Sequence, residues 1–296
     1  MKFASYAAKG RYGVGLLSRD ERSLVPVPGT DGAEPVGMLH LIANWSELEA
    51  TVRGLTGARL SVDSLSVDSL EMLAPIPRPH RNIICVGKNY ADHVKEFGAS
   101  GYDSTGGAET PKRPVFFTKA PTTVLAPGGT IDPHTELTSA LDYEAELGVI
   151  IGKGGRNISR ADALDHVWGY TVLNDVTARD LQRDHQQWFL GKSLDSFCPM
   201  GPWAVTADEV IWDALDISCT VNGEVRQSNK TSNLIFDVPA LIEILSAGIT
   251  LQPGDIIATG TPDGVGIGFT PPRFLATGDE VVVTISGLGS LRNTVG

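Results

Sequence analysis

Cysteine is scarce in this chain. Cys85, Cys198 and Cys219 stand far apart, and no C-x-x-C pair occurs. That excludes a disulfide framework and a zinc ribbon, and it fits reduced thiols in the cytoplasm. Long apolar runs are missing as well. No segment approaches the roughly 18 apolar residues of a transmembrane helix. The opening MKFASYAAKGRYGVGLL carries Lys9 and Arg11 where a signal peptide keeps an unbroken apolar run. Positive charge is in short supply: 24 Lys and Arg stand against 35 Asp and Glu, a net charge of −11. Neither a nucleic-acid backbone nor an anionic membrane is then expected as the main partner. An anionic small substrate would need a local positive centre, such as a metal ion.

What is present is ordinary in bulk. A chain of 296 residues, 42% hydrophobic and 20% charged, can bury a sizeable core as one large or two ordinary domains. Residues 1–73 read as a small N-terminal domain. Asn44 to Leu55 has a helical pattern, with Asn44 at the N-cap and Glu47 three residues on. The repeated unit in SVDSLSVDSL reads as a polar connection into a short strand. APIPRPHR, Ala74 to Arg81, is proline-rich, extended and stiff. It opens a larger unit, residues 74–296. There, short β-rich runs dominate: NIICVG, PVFFTKA, AELGVII, GYTVLND, DISCTVNG, DIIATG and DEVVVTISGLG. Helical patterns are few: Ala91 to Phe97, Arg160 to Asp165, Thr177 to Gln187 and Val238 to Ala247. Strands do not alternate with full-length helices, so a doubly wound parallel sheet is not expected. The pattern predicts a mainly β fold with a few short helices.

One strand is unusual. LDYEAELGVIIGKG places Leu141, Tyr143, Ala145, Leu147, Val149 and Ile151 on one face and Asp142, Glu144, Glu146 and Ile150 on the other. A wet edge strand has such alternation. Yet Ile150 points to burial, and neighbouring like charges repel by roughly 4 kcal/mol at 4 Å and an effective dielectric near 20. A cation relieves that. Asp175 closes the run GYTVLND, where a strand end can face a cavity; capping of the following helix is the simpler role. Glu144, Glu146 and Asp175 together make an all-oxygen set suited to Mg²⁺ or Mn²⁺, with open positions left for a substrate.

Three further clusters carry candidate chemistry. In GKNYADHVKEFG, Asn89 can cap a short helix and Gly98 can end it, which puts His93 and Glu96 on one face as a base and its orienting group. In ARDLQRDHQQWFLGKS, Arg179 and Gln182 sit one turn beyond Asp175 and Lys192 follows, a donor set for an acidic substrate. His185 reads as structural. The Gly-rich turn GDIIATGTPDGVGIG can bring backbone N–H groups to an anion, without the helix a dinucleotide fingerprint needs.

Taken in order, NYADHVKEFG, FFTKAPTTVLAPG, DYEAELGVIIGK, GYTVLNDVTARDLQ, GKSLDSFCPMGPW, VNGEVRQ and GDIIATGTPDGVG resemble the fumarylacetoacetate hydrolase family, from about Ile76 to the C-terminus. The nearest likeness is to the acylpyruvase and fumarylpyruvate hydrolase members of bacteria. The resemblance implies a mixed β-sandwich roll, a homodimer, and one Mg²⁺ or Mn²⁺ on Glu144, Glu146 and Asp175. It implies a water-activating pair in His93 and Glu96, a lysine beside the metal in Lys192, and substrate contacts from Arg179, Gln182 and Thr261. The implied activity is hydrolysis of a C–C bond in an acylpyruvate-type 2,4-dioxo acid. The alternatives are decarboxylation or tautomerisation of oxaloacetate, and isomerase, hydratase or lyase chemistry on another 2-oxo acid. EFGASGYDSTGGAETPKRPVFF lengthens the loop after the His93 helix relative to the short acylpyruvases. It is expected to cover the pocket mouth and alter substrate choice.

Overall fold

The computed structural model describes residues 1–55, 64–103 and 109–296. Among these, strands dominate and the helices are short. The longest sheet path runs Leu65–Ser66, Ser23–Pro26, Arg11–Leu17, Lys2–Ala8, Cys198–Thr206, Val167–Asn174, Ala145–Ile151, Ile256–Ala258, Ile83–Gly87 and Val115–Lys119. A second sheet orders Glu224–Lys230, Asp216–Val221, Glu280–Ile285, Gly289–Val295 and Thr130–Ile131. Most pairings are antiparallel, as expected where helices are too few to make crossovers.

The central strand Ala145–Ile151 is buried on both faces. Leu147, Val149 and Ile151 pack with Ile217, Val221, Val281 and Ile285 of the second sheet and with Leu241 and Leu245 of the helix Val238–Ser246. Ile150 points the other way, into a core shared with Phe3, Leu16, Met38, Leu41 and Trp168. The face assignment read from alternation therefore holds, and the wet-strand alternative fails: Asp142, Glu144 and Glu146 are all buried.

The N-terminal segment is joined to the rest through backbone pairing. Lys2 and Phe3 sit opposite Val205 and Ala204, so the sheet runs on across the expected boundary. The proline-rich stretch is packed too: Ala74 and Ile76 are buried, and Ser5 Oγ donates to the Pro75 carbonyl at 2.7 Å. Part of SVDSLSVDSL, residues 61–63, lies outside the described residues; beyond it come the strands Leu65–Ser66 and Glu71–Met72.

Several helix limits differ from the sequence pattern. A helix Gly37–Ala43 precedes Trp45–Arg53, and the Asn44 amide donates back to the His40 carbonyl at 2.9 Å instead of capping forward. Tyr90, not Asn89, caps the helix Ala91–Ala99, and Gly98 lies inside it. Only a 3₁₀ turn, Ala163–His166, forms where Arg160 to Asp165 looked helical. Thr177 and Ala178 pair with Asp142 and Leu141, so the next helix is only Arg179–Asp184. No helix among the described residues is long and apolar enough to cross a membrane.

Candidate metal centre and active site

The strand pair Leu141–Asp142 with Thr177–Ala178 ends just where the main sheet begins, at Ala145 opposite Asn174. Glu144 and Asp175 sit in that gap, and Asp175 N–H donates to the Glu144 carbonyl at 2.8 Å. Glu146 follows inside the sheet. One carboxylate oxygen from each of Glu144, Glu146 and Asp175 lies within 4.8 Å of the others, and all three residues are buried.

Lysines crowd this acid set. Lys192 Nζ bridges Glu144 Oε2 at 2.8 Å and Asp175 Oδ2 at 2.9 Å. Lys119 Nζ donates to Asp175 Oδ1 at 2.5 Å and to the Val176 carbonyl at 3.0 Å. Arg179 Nη1 meets Glu144 Oε1 at 2.7 Å. The charges do not share this support evenly. Burial pushes the Glu144 carboxyl up, but Lys192 and Arg179 outweigh it and bring it to about 2. Glu146 goes the other way: burial first, then Asp175 and Glu144, hold it well above the ordinary carboxyl range. Its one hydrogen bond among the described residues is from Gly260 N–H, at 2.8 Å. An uncompensated buried acid beside two others fits a hard divalent cation. Burial alone would lower the Lys192 ammonium; Asp175 and Glu144 outweigh it and raise it.

The simpler role for Asp175, a helix cap, is excluded: Ala178 stands at the N-cap, and both Asp175 oxygens face lysines. Asp142 is the acid that does not join the triad. It accepts from Arg179 Nε at 2.8 Å, Gly266 N–H at 2.6 Å and Ile267 N–H at 3.1 Å. It fixes the arginine and the Gly-rich turn together.

His93 Nδ1 lies 3.1 Å from Glu96 Oε2, and Glu96 Oε1 accepts from Gly264 N–H at 2.9 Å. The Gly-rich turn thus does offer N–H groups to anions, but the anions are the protein's own Glu146, Glu96 and Asp142. Gly260 holds φ at +100°, and a Cβ there would meet the Val86 carbonyl oxygen at 2.9 Å. Gly260→Ala is therefore expected to destabilise the fold by about 1–3 kcal/mol and to weaken metal binding. Denaturant unfolding with and without Mn²⁺ checks both.

His93, Glu144, Glu146, Arg179, Gln182, Lys192 and Thr261 line one cavity with Val86, Gly87, Lys88, Phe97, Phe117 and Trp188. Its volume is ≈ 10 Å³, about that of one water probe. Arg179 Nη1 also donates to Gln182 Oε1 at 3.1 Å, while its buried Nη2 has no hydrogen-bond partner among the described residues. Thr261 Oγ1 accepts from Gln227, whose carbonyl takes the Ala145 N–H. His185 is exposed and does not line the cavity. Lys119 and Gln227 escaped the sequence reading. A lysine closing the apolar run VFFTK was the available signal for the first; nothing local marked the second.

Residues 82–296 match the family described as fumarylacetoacetate (FAA) hydrolase, C-terminal. The chain belongs to the fumarylacetoacetate hydrolase family. It is 45% identical, across the full length of both chains, to oxaloacetate tautomerase YisK of Bacillus subtilis. A fumarylacetoacetate hydrolase structure from Exiguobacterium antarcticum superposes with a TM-score of 0.83, at 41% identity over 100% of this chain and 99% of that one. Maleylpyruvate hydrolase from Sphingobium sp. SYK-6, in complex with manganese(II) and pyruvate, gives 0.79 at 29% identity, over 100% and 98%. The fold and the family expected from the motifs are thereby shown. The hydrolytic activity expected with them is not, since a full-length relative carries a tautomerase name.

Proposed function

We propose that this protein interconverts the keto and enol forms of a small 2-oxo acid of the oxaloacetate kind, with a divalent ion held by Glu144, Glu146 and Asp175. The observation that carries the reading is one cavity lined by Glu144 and Glu146 of the acid triad together with His93, whose ring is oriented by Glu96. The likeness to the Bacillus subtilis tautomerase supports the choice among the family's reactions.

When bound, Mg²⁺ or Mn²⁺ supplies Lewis-acid polarisation of the substrate's 2-oxo oxygen. The rest is the chain's own work. A carboxylate only accepts, so Glu96 fixes the proton of neutral His93 on Nδ1 and leaves Nε2 as the base. His93 Nε2 then takes a proton from C3 and, from the protonated ring, gives it to the C2 oxygen, which restores the neutral base; the reverse reaction runs the same two transfers. Arg179 Nη2 offers an unused donor to the substrate carboxylate. Lys192 adds positive charge where the enolate oxygen develops. Gln182 and Thr261 line the same cavity.

Hydrolysis of an acylpyruvate is the second reading, favoured by the fold shared with maleylpyruvate hydrolase. It needs the same residues plus a water brought to the distal carbonyl. The discriminating experiment follows enol absorbance of oxaloacetate and, in parallel, pyruvate release from oxaloacetate and a panel of acylpyruvates. Each is run with Mg²⁺, Mn²⁺ or EDTA against metal-only controls. Metal-dependent loss of enol without pyruvate is the expected result. Pyruvate with the matching free acid would replace tautomerase by hydrolase; pyruvate from oxaloacetate alone would make the protein a decarboxylase.

A further inference from the structure

Arg179 and Lys192 are absorbed by the triad, but a third cation of the cavity wall is not. Lys88 stands in the turn between the strand Ile83–Gly87 and the helix Ala91–Ala99, at φ 56°, a backbone conformation that glycine adopts far more readily. Its side chain is 6% exposed, and its ammonium lies 5.5 Å from the Phe97 ring centroid. The wall beside it is aromatic: Phe97, Phe117 and Trp188, with Trp188 packed edge-on against both phenylalanines. Asp103 Oδ2 sits 2.8 Å from Lys88 Nζ, and its side chain is 4% exposed. Asp103 belongs to the lengthened loop after the His93 helix, whose residues 104–108 lie outside the described part.

A buried ammonium in an apolar wall, held at contact distance by a carboxylate, marks a place shaped for a carboxylate. We propose that Lys88 recognises the second carboxylate of a dicarboxylic 2-oxo acid, and that Asp103 stands in for that carboxylate in the substrate-free protein. The inference rests on the reading that the site takes a 2-oxo acid, and it makes the class dicarboxylic. The first carboxylate and the 2-oxo oxygen go to the triad side of the cavity, where Arg179 and Lys192 are. The second goes to the Lys88 side, displacing Asp103. A neutral acyl tail gains nothing from that exchange.

The test is binding of oxaloacetate and of pyruvate to the Mn²⁺-loaded protein, read from tryptophan fluorescence immediately after mixing, with Trp188 in the cavity wall as reporter. Lys88→Met should weaken oxaloacetate by about 10-fold or more and leave pyruvate within about 2-fold. Lys88→Arg should retain most of the preference. Asp103→Asn should tighten oxaloacetate, because the internal competitor is gone; this variant decides the matter if Lys88→Met does not fold. Equal weakening of both acids by Lys88→Met, or unchanged binding of both, overturns the role of Lys88. Weaker oxaloacetate binding in Asp103→Asn overturns the role of Asp103. If the wild type binds neither acid with metal present, the 2-oxo acid reading itself falls, and the inference falls with it.

Discussion

His93→Ala is expected to lower turnover by about 10²–10⁴-fold, the usual range for a positioned general base, while divalent-metal binding stays as in the wild type. The split follows from the geometry. His93 is held on its own helix by Glu96, and Glu96 is held by Gly264 N–H. None of these contacts runs to the three metal-site oxygens. The triad is positioned by the strand Ala145–Ile151, by Asn174, whose amide oxygen takes the Glu144 N–H at 3.1 Å, and by the lysines. Glu96→Gln should have the smaller effect, since an amide can still accept from Nδ1–H but no longer favours one tautomer or stabilises the protonated ring. Steady-state kinetics with metal titration on both variants checks this. Full activity in His93→Ala would remove it from the chemistry.

Glu146→Gln carries the second large effect. In the metal-free protein Glu146 is the strained acid, buried beside Asp175 and Glu144 with its carboxyl pushed up. Neutralising it costs the empty fold little, so the metal-free variant should melt at or above the wild type. With metal the order reverses. Wild-type protein at 100 times the Kd gains about 2.7 kcal/mol by linkage, several degrees in melting temperature, and the variant gains far less. The sign with pH is fixed as well. Glu146 binds the ion only as the carboxylate, so a raised pKa in the empty site makes protons compete. Metal affinity should fall as pH falls, and Mn²⁺ binding should release a proton, seen as a buffer-dependent binding enthalpy. Equal metal-induced stabilisation in variant and wild type would exclude Glu146 as a ligand.

Local pattern reached some of this and missed the rest for identifiable reasons. Alternation placed Leu147, Val149 and Ile151 on the core face, because burial of one strand face is a period-2 property of neighbours. The same alternation grouped Asp142 with Glu144 and Glu146. It could not show that the chain changes strand partner after Asp142, which sends Asp142 to Arg179 and the glycine turn. Asn89 looked like a cap since it precedes a helix. Its side chain instead ties the Thr259 and Phe236 carbonyls, both far away in sequence. Lys119 lies 56 positions from Asp175 and Gln227 lies 82 from Ala145. Such pairings come from sheet topology, which no short window contains. The pairing of Lys2 with Val205 is hidden for the same reason.

The most direct test of the central claim is anomalous diffraction at the manganese edge from crystals soaked in Mn²⁺. The account predicts one peak per chain, bounded by Glu144, Glu146 and Asp175, with the Lys192 ammonium drawn back from its bridge. A triad without a peak, with Lys192 still bridging Glu144 and Asp175 while Mn²⁺ sits elsewhere or nowhere, would contradict it.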